Sequence, residues 1–288
     1  MRGREPFRIA VLLLIWGWIV LFVLLPNLLV VATSFLTRDD SRFISWQLTL
    51  DNYLRLVDPD YLGVFGHSFY MALVTTLLCL LVGYPFAYLL SRLRPSLKPY
   101  LLFLVIVPFW TNSLVRTYAM KLLISVNGLL NKLLLTLGWI DTPLRMLYSE
   151  GAVIAGLFYI LLPFMILPLY AVFEQLRPEL LEASRDLGAG RWRSFTRVVL
   201  PLTLPGIIAG SLLVLLPAVG MFYVADVLGG AKNLLIGNVI KSQFLDARDW
   251  PFGAAASLLL TVAMAVLLYA YYLSVNMIRR PDNDAELA

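Results

Sequence analysis

The sequence predicts an all-α integral membrane protein with six membrane-spanning helices. Of its 288 residues, 60% are hydrophobic and only 14% are charged, and the mean hydropathy is +0.81. A soluble domain of this length carries about 25% charged residues, so much of this surface must face lipid. A helix needs about 20 mostly apolar residues to cross a bilayer. The six candidates cover residues 9–35, 68–90, 100–114, 152–173, 202–225 and 252–275.

The first and third spans each need a separate argument. The first follows Arg2, Arg4 and Arg8, as a signal peptide would, but its apolar run is about twice the roughly 7–15 residues of a cleavable core. We therefore expect a retained anchor. The third is short and contains Pro108. Lipid tolerates such a break only where other helices or an aqueous cavity satisfy the freed backbone groups.

The basic residues predict the orientation of the spans. With both termini in the cytoplasm, the inner segments are the shorter ones and have the higher density of arginine and lysine, as the positive-inside rule requires. The inner groups are Arg2, Arg4 and Arg8; Arg92, Arg94 and Lys98; Arg177, Arg185, Arg191, Arg193 and Arg197; and Arg279 and Arg280. The sequence thus predicts a multi-pass protein with residues 176–200 in the cytoplasm.

The outer segments are long, and we see no internal repeat or second domain, so residues 1–288 are predicted to form a single transmembrane domain. Residues 37–67 are expected to be a solvated loop, and residues 122–136 a helix that lies at the membrane interface or packs on the bundle. We expect the outer acids to be solvated loop charges as well, and the alternative is that they steer a cation. They are Asp39, Asp40, Asp58, Asp60, Asp246 and Asp249.

Several classes of site are disfavoured by the composition and motifs. One cysteine, Cys79, and one histidine, His67, do not make an internal disulfide or a zinc cluster, so we expect no metal site. The motifs H-E-x-x-H and G-x-S-x-G are missing from the sequence, which argues against a membrane enzyme. A phosphate-binding G-x-x-x-x-G-K-[ST] is missing too, so any ATP must be hydrolysed elsewhere. An ion-coupled transporter would show buried acids or broken helices in two related halves, and neither is clear.

The most charged stretch lies between the fourth and fifth spans, in residues 176–200. Two short helical segments are expected here, one beginning at Pro178 and one ending before Pro201, with Gly188 and Gly190 in the turn between them. A basic hairpin that only keeps the loop inside is one interpretation. The other is docking to a soluble partner, because simple helix connections are about 2–8 residues long.

The spacing within this stretch resembles a known family motif. Glu182-Ala183-Ser184, three residues, Gly188, nine residues and then 198–201 (VVLP) resemble the EAA motif of ABC importer permeases, with Ser184 in place of the second alanine and Val198 in place of isoleucine. The resemblance implies a type I importer permease fold and a coupling helix that sits in a cleft of the ATPase subunit. The coupling residues it implies are Glu182, Ala183, Ser184, Gly188 and Pro201.

Other segments are similar to permease subunits of spermidine/putrescine importers. They include "LDNYLRL", "LVIVPFWTNSLVRTY", "LLPFMILPLY" and "FYVADVLGGAKNLLIGNVIKSQF". The resemblance implies half of the translocation pathway of an ATP-driven polyamine importer in the bacterial inner membrane. It implies a second permease subunit, an ATPase homodimer that holds ATP and Mg, a periplasmic substrate-binding protein, and no cofactor in this chain. The alternative is the same fold carrying another small solute.

A polyamine is a chain of ammonium groups, which carboxylates and aromatic faces can hold. An ammonium over a ring gains about 0.5–2 kcal/mol. Phe222, Tyr223 and Asp226 are candidates, since Phe222 and Asp226 share a helical face; the alternative is an aromatic belt with a solvated acid. Trp110 and Asn112 follow Pro108 and either line the pathway or join helices.

Overall fold

The computed structural model describes residues 4–39, 43–230 and 233–279, so Arg2, Asp40 and Arg280 lie outside the described residues. The described chain is mainly helical. Its α-helices are α1 (Arg4–Ile19), α2 (Leu25–Ser34), α3 (Asp51–Leu56), α4 (Pro59–Arg92), α5 (Lys98–Ile106), α6 (Ser113–Ile124), α7 (Leu129–Thr136), α8 (Glu150–Gln175), α9 (Pro178–Asp186), α10 (Arg191–Ser194), α11 (Leu200–Gly220), α12 (Phe222–Val224), α13 (Ile236–Leu245) and α14 (Trp250–Arg279). π-Helical turns occupy Val20–Leu24, Phe195–Val199 and Ala225–Gly229, and a 3-10 turn occupies Val107–Trp110.

Six helical segments of the described chain are long and apolar enough to cross a membrane, as predicted. They are Val11–Ser34, Pro59–Arg92, Ser113–Thr136, Glu150–Gln175, Arg191–Gly220 and Trp250–Leu273. Five of them correspond to predicted spans, although the second begins at Pro59 rather than near residue 68.

The predicted third span, residues 100–114, is wrong. The helical segment Lys98–Trp110 is too short to qualify, and the extended backbone of Thr111 separates it from α6. Residues 122–136, expected as a helix at the interface or packed on the bundle, belong to the candidate span Ser113–Thr136. A turn closed by the Gly128 N–H donating to the Ser125 carbonyl at 2.8 Å interrupts that candidate between α6 and α7.

The chain divides into two compact units, each described by itself. One comprises Met1–Gly63 and Val239–Val266, and the other comprises Val64–Asn238 and Leu267–Ala288. A single domain over residues 1–288 stays a prediction.

The first unit contains more structure than the expected solvated loop. Strands β1 (Leu36–Thr37) and β2 (Ser45–Leu48) pair antiparallel, and the buried Asn52 amide of α3 donates to the carbonyls of Ser34 and Leu36. The loop prediction is therefore wrong for this hairpin and for α3.

The expectation that Asp249 is solvated is also wrong. Its side chain is only 2% exposed, and one carboxylate oxygen lies 2.8 Å from Nη1 of Arg55. The other accepts the N–H of Phe252 near the start of α14. The Arg55 guanidinium also lies 4.2 Å from the centre of the Phe252 ring. The pair thus ties α3 to the first turn of α14, where a carboxylate suits the helix amino terminus.

The second unit is built around the contact between α8 and α11. Small residues let the two backbones approach: a Cβ on Gly210 would lie 2.8 Å from Sδ of Met165, and one on Gly206 would lie 2.9 Å from Val172. Such small-residue contacts drive helix association where no hydrophobic effect operates between helices.

Candidate functional site

The charged hairpin, residues 178–199, is held by a Schellman cap at the end of α9. Gly188 has φ +77°, and its N–H donates to the Arg185 carbonyl at 2.8 Å. The N–H of Ala189 donates to the Ser184 carbonyl at 3.0 Å, which completes the motif. A Cβ on Gly188 would meet no atom within 4 Å. The backbone conformation, rather than lack of space, therefore requires glycine here.

A buried hydroxyl pair joins the two arms of the charged hairpin. The Oγ atoms of Ser184 and Ser194 lie 2.9 Å apart, and the two residues are 8% and 4% exposed. Ser184 Oγ also lies 2.9 Å from the Leu181 carbonyl oxygen in its own helix. The close approach explains why a small residue stands at position 184, since a larger side chain would push α10 away from α9.

The outer face of the charged hairpin is exposed and partly apolar. Leu187 is 89% exposed and Trp192 is 77% exposed, beside the exposed Glu182 and Ala183. Large apolar side chains clustered among charges mark interaction surfaces. The prediction that the second helical segment ends before Pro201 is wrong, because the helix continues through the π-helical turn Phe195–Val199 into α11, and the exposed Pro201 lies inside it. The sequence-predicted coupling residues are thus brought together in one hairpin and at the start of the helix that follows it.

The acidic–aromatic segment, residues 222–229, follows a break in the fifth span. α11 ends at Gly220, Met221 leaves the helical conformation, and the helix restarts at Phe222. The segment continues as the π-helical turn that carries Asp226. Single π-helical turns within helices are frequent at functional sites.

Three side chains of this segment reach the surface, and the others are buried. Asp226 and Phe222 are exposed, while Tyr223 is half-buried. The rings of Phe222 and Tyr223 meet edge to face, with centroids 6.1 Å apart and planes at 87°. Asp226 follows the two rings by three and four residues, a spacing that brings side chains together on a helix, and a carboxylate with ring faces can hold an organic cation.

Asn238, which the sequence reasoning missed, orients this segment. Its buried side-chain amide donates to the Phe222 carbonyl at 3.0 Å and to Oδ1 of Asp226. The side-chain oxygen Oδ1 of Asn238 accepts the N–H of Leu235 at 2.9 Å. The neighbouring Gly237 has no side chain, so the start of α13 can lie close to the end of α11. The only sequence signal was an asparagine near a helix start, which is common at caps.

Replacing Asn238 by alanine is expected to lower the thermal unfolding midpoint of the detergent-purified protein. Three bonded groups lose their partner, and a buried unsatisfied group costs about 1–3 kcal/mol. Asn27 provides a matched control, because its exposed amide makes one bond, to the Val23 carbonyl. The Asn27→Ala change should leave the midpoint nearly unchanged. Equal midpoints for both variants would contradict the orienting role of Asn238.

Trp110 and Asn112 lie at the break before α6. Oδ1 of Asn112 accepts the N–H of Leu114 at 2.8 Å and caps α6. Trp110 is 74% exposed, and its ring meets Phe103 edge to face at 5.4 Å. α6 contacts both α12 and the π-helical turn Ala225–Gly229. The capping bond gives Asn112 a structural role, and a place for either residue on a transport pathway stays a prediction.

The comparisons with known proteins agree with this architecture. The family model described as "Binding-protein-dependent transport system inner membrane component" matches residues 80–280. The PotB spermidine/putrescine transport system permease protein of Salmonella typhimurium (strain SL1344) is 56% identical over 284 residues, which cover 99% of each chain. The PotB protein of Escherichia coli (strain K12) is 58% identical over 264 residues, which cover 92% of this chain and 96% of that protein.

The fold has a solved counterpart. A chain of the bacterial alginate ABC transporter, crystallised with an alginate pentasaccharide-bound periplasmic protein, superposes with a TM-score of 0.77. The alignment covers 96% of both chains at 17% sequence identity. At this identity the likeness concerns the fold alone, and it agrees with the predicted importer permease architecture.

Proposed function

We propose that this chain, which belongs to the family of binding-protein-dependent transport system inner membrane components, is a permease subunit of an ATP-driven spermidine/putrescine importer. The observation that carries the proposal is the identity of more than half the residues with PotB proteins over nearly the whole chain. The chain is a multi-pass inner-membrane transport subunit and not an enzyme. It forms half of the translocation pathway, and a second permease subunit forms the rest.

In this proposal the charged hairpin docks into the ATPase. The exposed Leu187 and Trp192 supply apolar area, and the motif residues Glu182, Ala183, Ser184, Gly188 and Pro201 shape and present the surface. The ATPase is a homodimer that binds ATP and Mg, so this chain itself needs no cofactor. Both termini lie in the cytoplasm, on the same side as the hairpin. A periplasmic binding protein delivers the polyamine from the other side.

The acidic–aromatic segment is the proposed contact for the passing cation. Asp226 supplies the negative charge, and the rings of Phe222 and Tyr223 supply faces for the ammonium groups and the methylene chain between them. Trp110 and Asn112 border the same route, at the break before α6. The proposal is supported by the contact of α6 with this segment and by the accessible carboxylate.

One helix links the two regions. The charged hairpin ends with the π-helical turn Phe195–Val199, and α11 follows directly. α11 itself ends two residues before Phe222. Its 21 residues span about 32 Å at 1.5 Å each. Nucleotide-dependent movement of the hairpin is therefore passed to the acidic–aromatic segment along a packed helix, as a change in the preference between two conformations.

Uptake of labelled spermidine tests the proposal directly. Cells that lack this gene and any redundant polyamine importer should lose uptake, and restoring the chain should return it. Loss and rescue of spermidine uptake would establish the importer and its substrate class together. Normal uptake in the deletion cells would remove the polyamine from the proposal and favour another small solute for the same fold.

A further inference from the structure

A cavity of about 590 Å³ lies between α4 and the charged hairpin. Sites for small ligands commonly measure roughly 300–1,000 Å³. α4 forms one wall and the two arms of the hairpin form the others. The lining residues are Tyr84, Pro85, Tyr88, Leu181, Arg185, Arg191, Ser194, Phe195 and Val199.

The inner wall of the cavity is aromatic and fixed in place. Tyr84 Oη lies 2.9 Å from Thr203 Oγ1, and its ring meets Phe173 and Phe195 edge to face. Tyr88 meets Phe173 in the same way at 5.5 Å. These contacts anchor the wall to α8 and to the π-helical turn before α11. The wall is apolar and preformed, as suits an acyl chain.

The charged part of the cavity is basic. Arg185 and Arg191 line it from opposite arms of the hairpin, and within the described chain neither forms an ion pair with an acid. A third guanidinium, that of Arg92, lies 5.5 Å from the centre of the Tyr88 ring. Guanidinium groups bind phosphate oxygens bidentately. The charge therefore selects an anion.

The cavity lies at one end of α4, which is a candidate membrane span. Tyr84 lies eight residues before the end of the membrane-spanning α4, which corresponds to about 12 Å of helix. The arginines lie in the hairpin beyond that end. An occupant must therefore be apolar towards the bilayer and anionic towards the water, and basic pockets at the ends of spanning helices bind such lipids.

We propose that this cavity binds an anionic phospholipid, with its phosphate on Arg185 and Arg191 and an acyl chain against Tyr84 and Tyr88. The lipid belongs to the leaflet that the charged hairpin faces, which is the cytoplasmic leaflet in the orientation proposed above. It fills the space between the hairpin and α4, so the bound lipid fixes the base from which the hairpin meets its partner.

Lipid retention by the purified importer tests this site. The complex, purified through a tag on this chain, is placed in phosphatidylcholine nanodiscs with or without phosphatidylglycerol, and bound phosphatidylglycerol is measured by native mass spectrometry. We expect about tenfold weaker retention for each arginine lost in Arg185→Gln and Arg191→Gln. Arg193→Gln is the matched control, because Arg193 is exposed on α10 but does not line the cavity.

Two further measurements keep the test decisive. Phosphatidylglycerol should raise the thermal unfolding midpoint of the wild-type complex, whereas inorganic phosphate at the same concentration should not; an equal rise with phosphate would overturn the lipid as occupant. A photo-crosslinking residue in place of Tyr88 should capture lipid. Capture of the ATPase or the second permease instead would mean that a protein fills the cavity. In the nanodisc experiment, equal retention of phosphatidylglycerol by all three arginine variants would also overturn the proposal. Because lipid retention does not depend on the transported solute, failure here is distinguishable from failure of the polyamine assignment.

Discussion

Replacing Gly188 by proline is expected to reduce spermidine uptake to the background of cells without the chain. Proline holds φ near −65° and has no N–H, whereas Gly188 has φ +77° and donates its N–H to the Arg185 carbonyl. The Schellman cap cannot form, so α9 and α10 lose the turn that sets their angle. Uptake, co-purification of the ATPase subunit and ATP hydrolysis should be measured together, because uncoupling loses uptake alone whereas failed docking also loses the ATPase.

Alanine variants separate backbone strain from the mere presence of a side chain. An alanine in the left-handed conformation costs about 1–2 kcal/mol, so Gly188→Ala should reduce uptake partially. Gly190 is the matched control: a Cβ there also meets no atom within 4 Å, but its φ is −66°. Gly190→Ala should therefore transport normally. Full uptake by Gly188→Pro would contradict the coupling role of the hairpin.

The first helix of the charged hairpin and the turn that ends it were predictable because both are encoded locally. A proline at the first helical position and a glycine just past the last one are signals read within one short segment. The structure places Pro178 and Gly188 in those positions. The pairing of Ser184 with Ser194 was not predicted. It depends on how far the chain turns back after Gly188, and neither serine alone shows this.

The features that the sequence did not reveal depend on contacts between distant residues. Asp249 has the surroundings of a loop acid in the sequence, and its burial depends on an ion pair with Arg55, 194 residues away. Asn238 reaches the acidic–aromatic segment because α13 begins close to the end of α11. A Cβ on Gly237 would lie 2.6 Å from the Gly220 carbonyl oxygen. No periodicity within either segment indicates that approach.

The third span shows a different limit. The mean hydropathy of residues 100–114 is high enough for a span. This average does not reveal where the helix that contains Pro108 ends. In the structure the backbone becomes extended at Thr111, and Asn112 caps a new helix. An asparagine that caps a helix and one that lines a pathway have the same local sequence, so pattern alone does not separate these roles.

Replacing Asp226 by asparagine is expected to lower spermidine uptake by about tenfold or more while the complex still assembles. The substitution keeps the shape of the side chain and an oxygen that can accept the Asn238 amide hydrogen bond. It removes the negative charge. A hydrogen bond to a charged group contributes about 1.5–3 kcal/mol, and each 1.4 kcal/mol corresponds to a factor of ten. Initial uptake rates over a range of spermidine concentrations, with the amount of assembled complex measured in parallel, give the comparison.

The matched control distinguishes a site for the cation from general attraction by negative charge. Asp141 is also an exposed acid, between α7 and α8, and Asp141→Asn removes the same charge. If acids only raise the local concentration of polyamine, both variants should lower uptake similarly and the difference should vanish at high salt, because exposed charges are screened within about 8–10 Å. If Asp226 contacts the passing cation, only its variant should be impaired, and salt should not restore it. Unchanged uptake in Asp226→Asn would remove this carboxylate from the pathway and leave the aromatic rings as the remaining candidates.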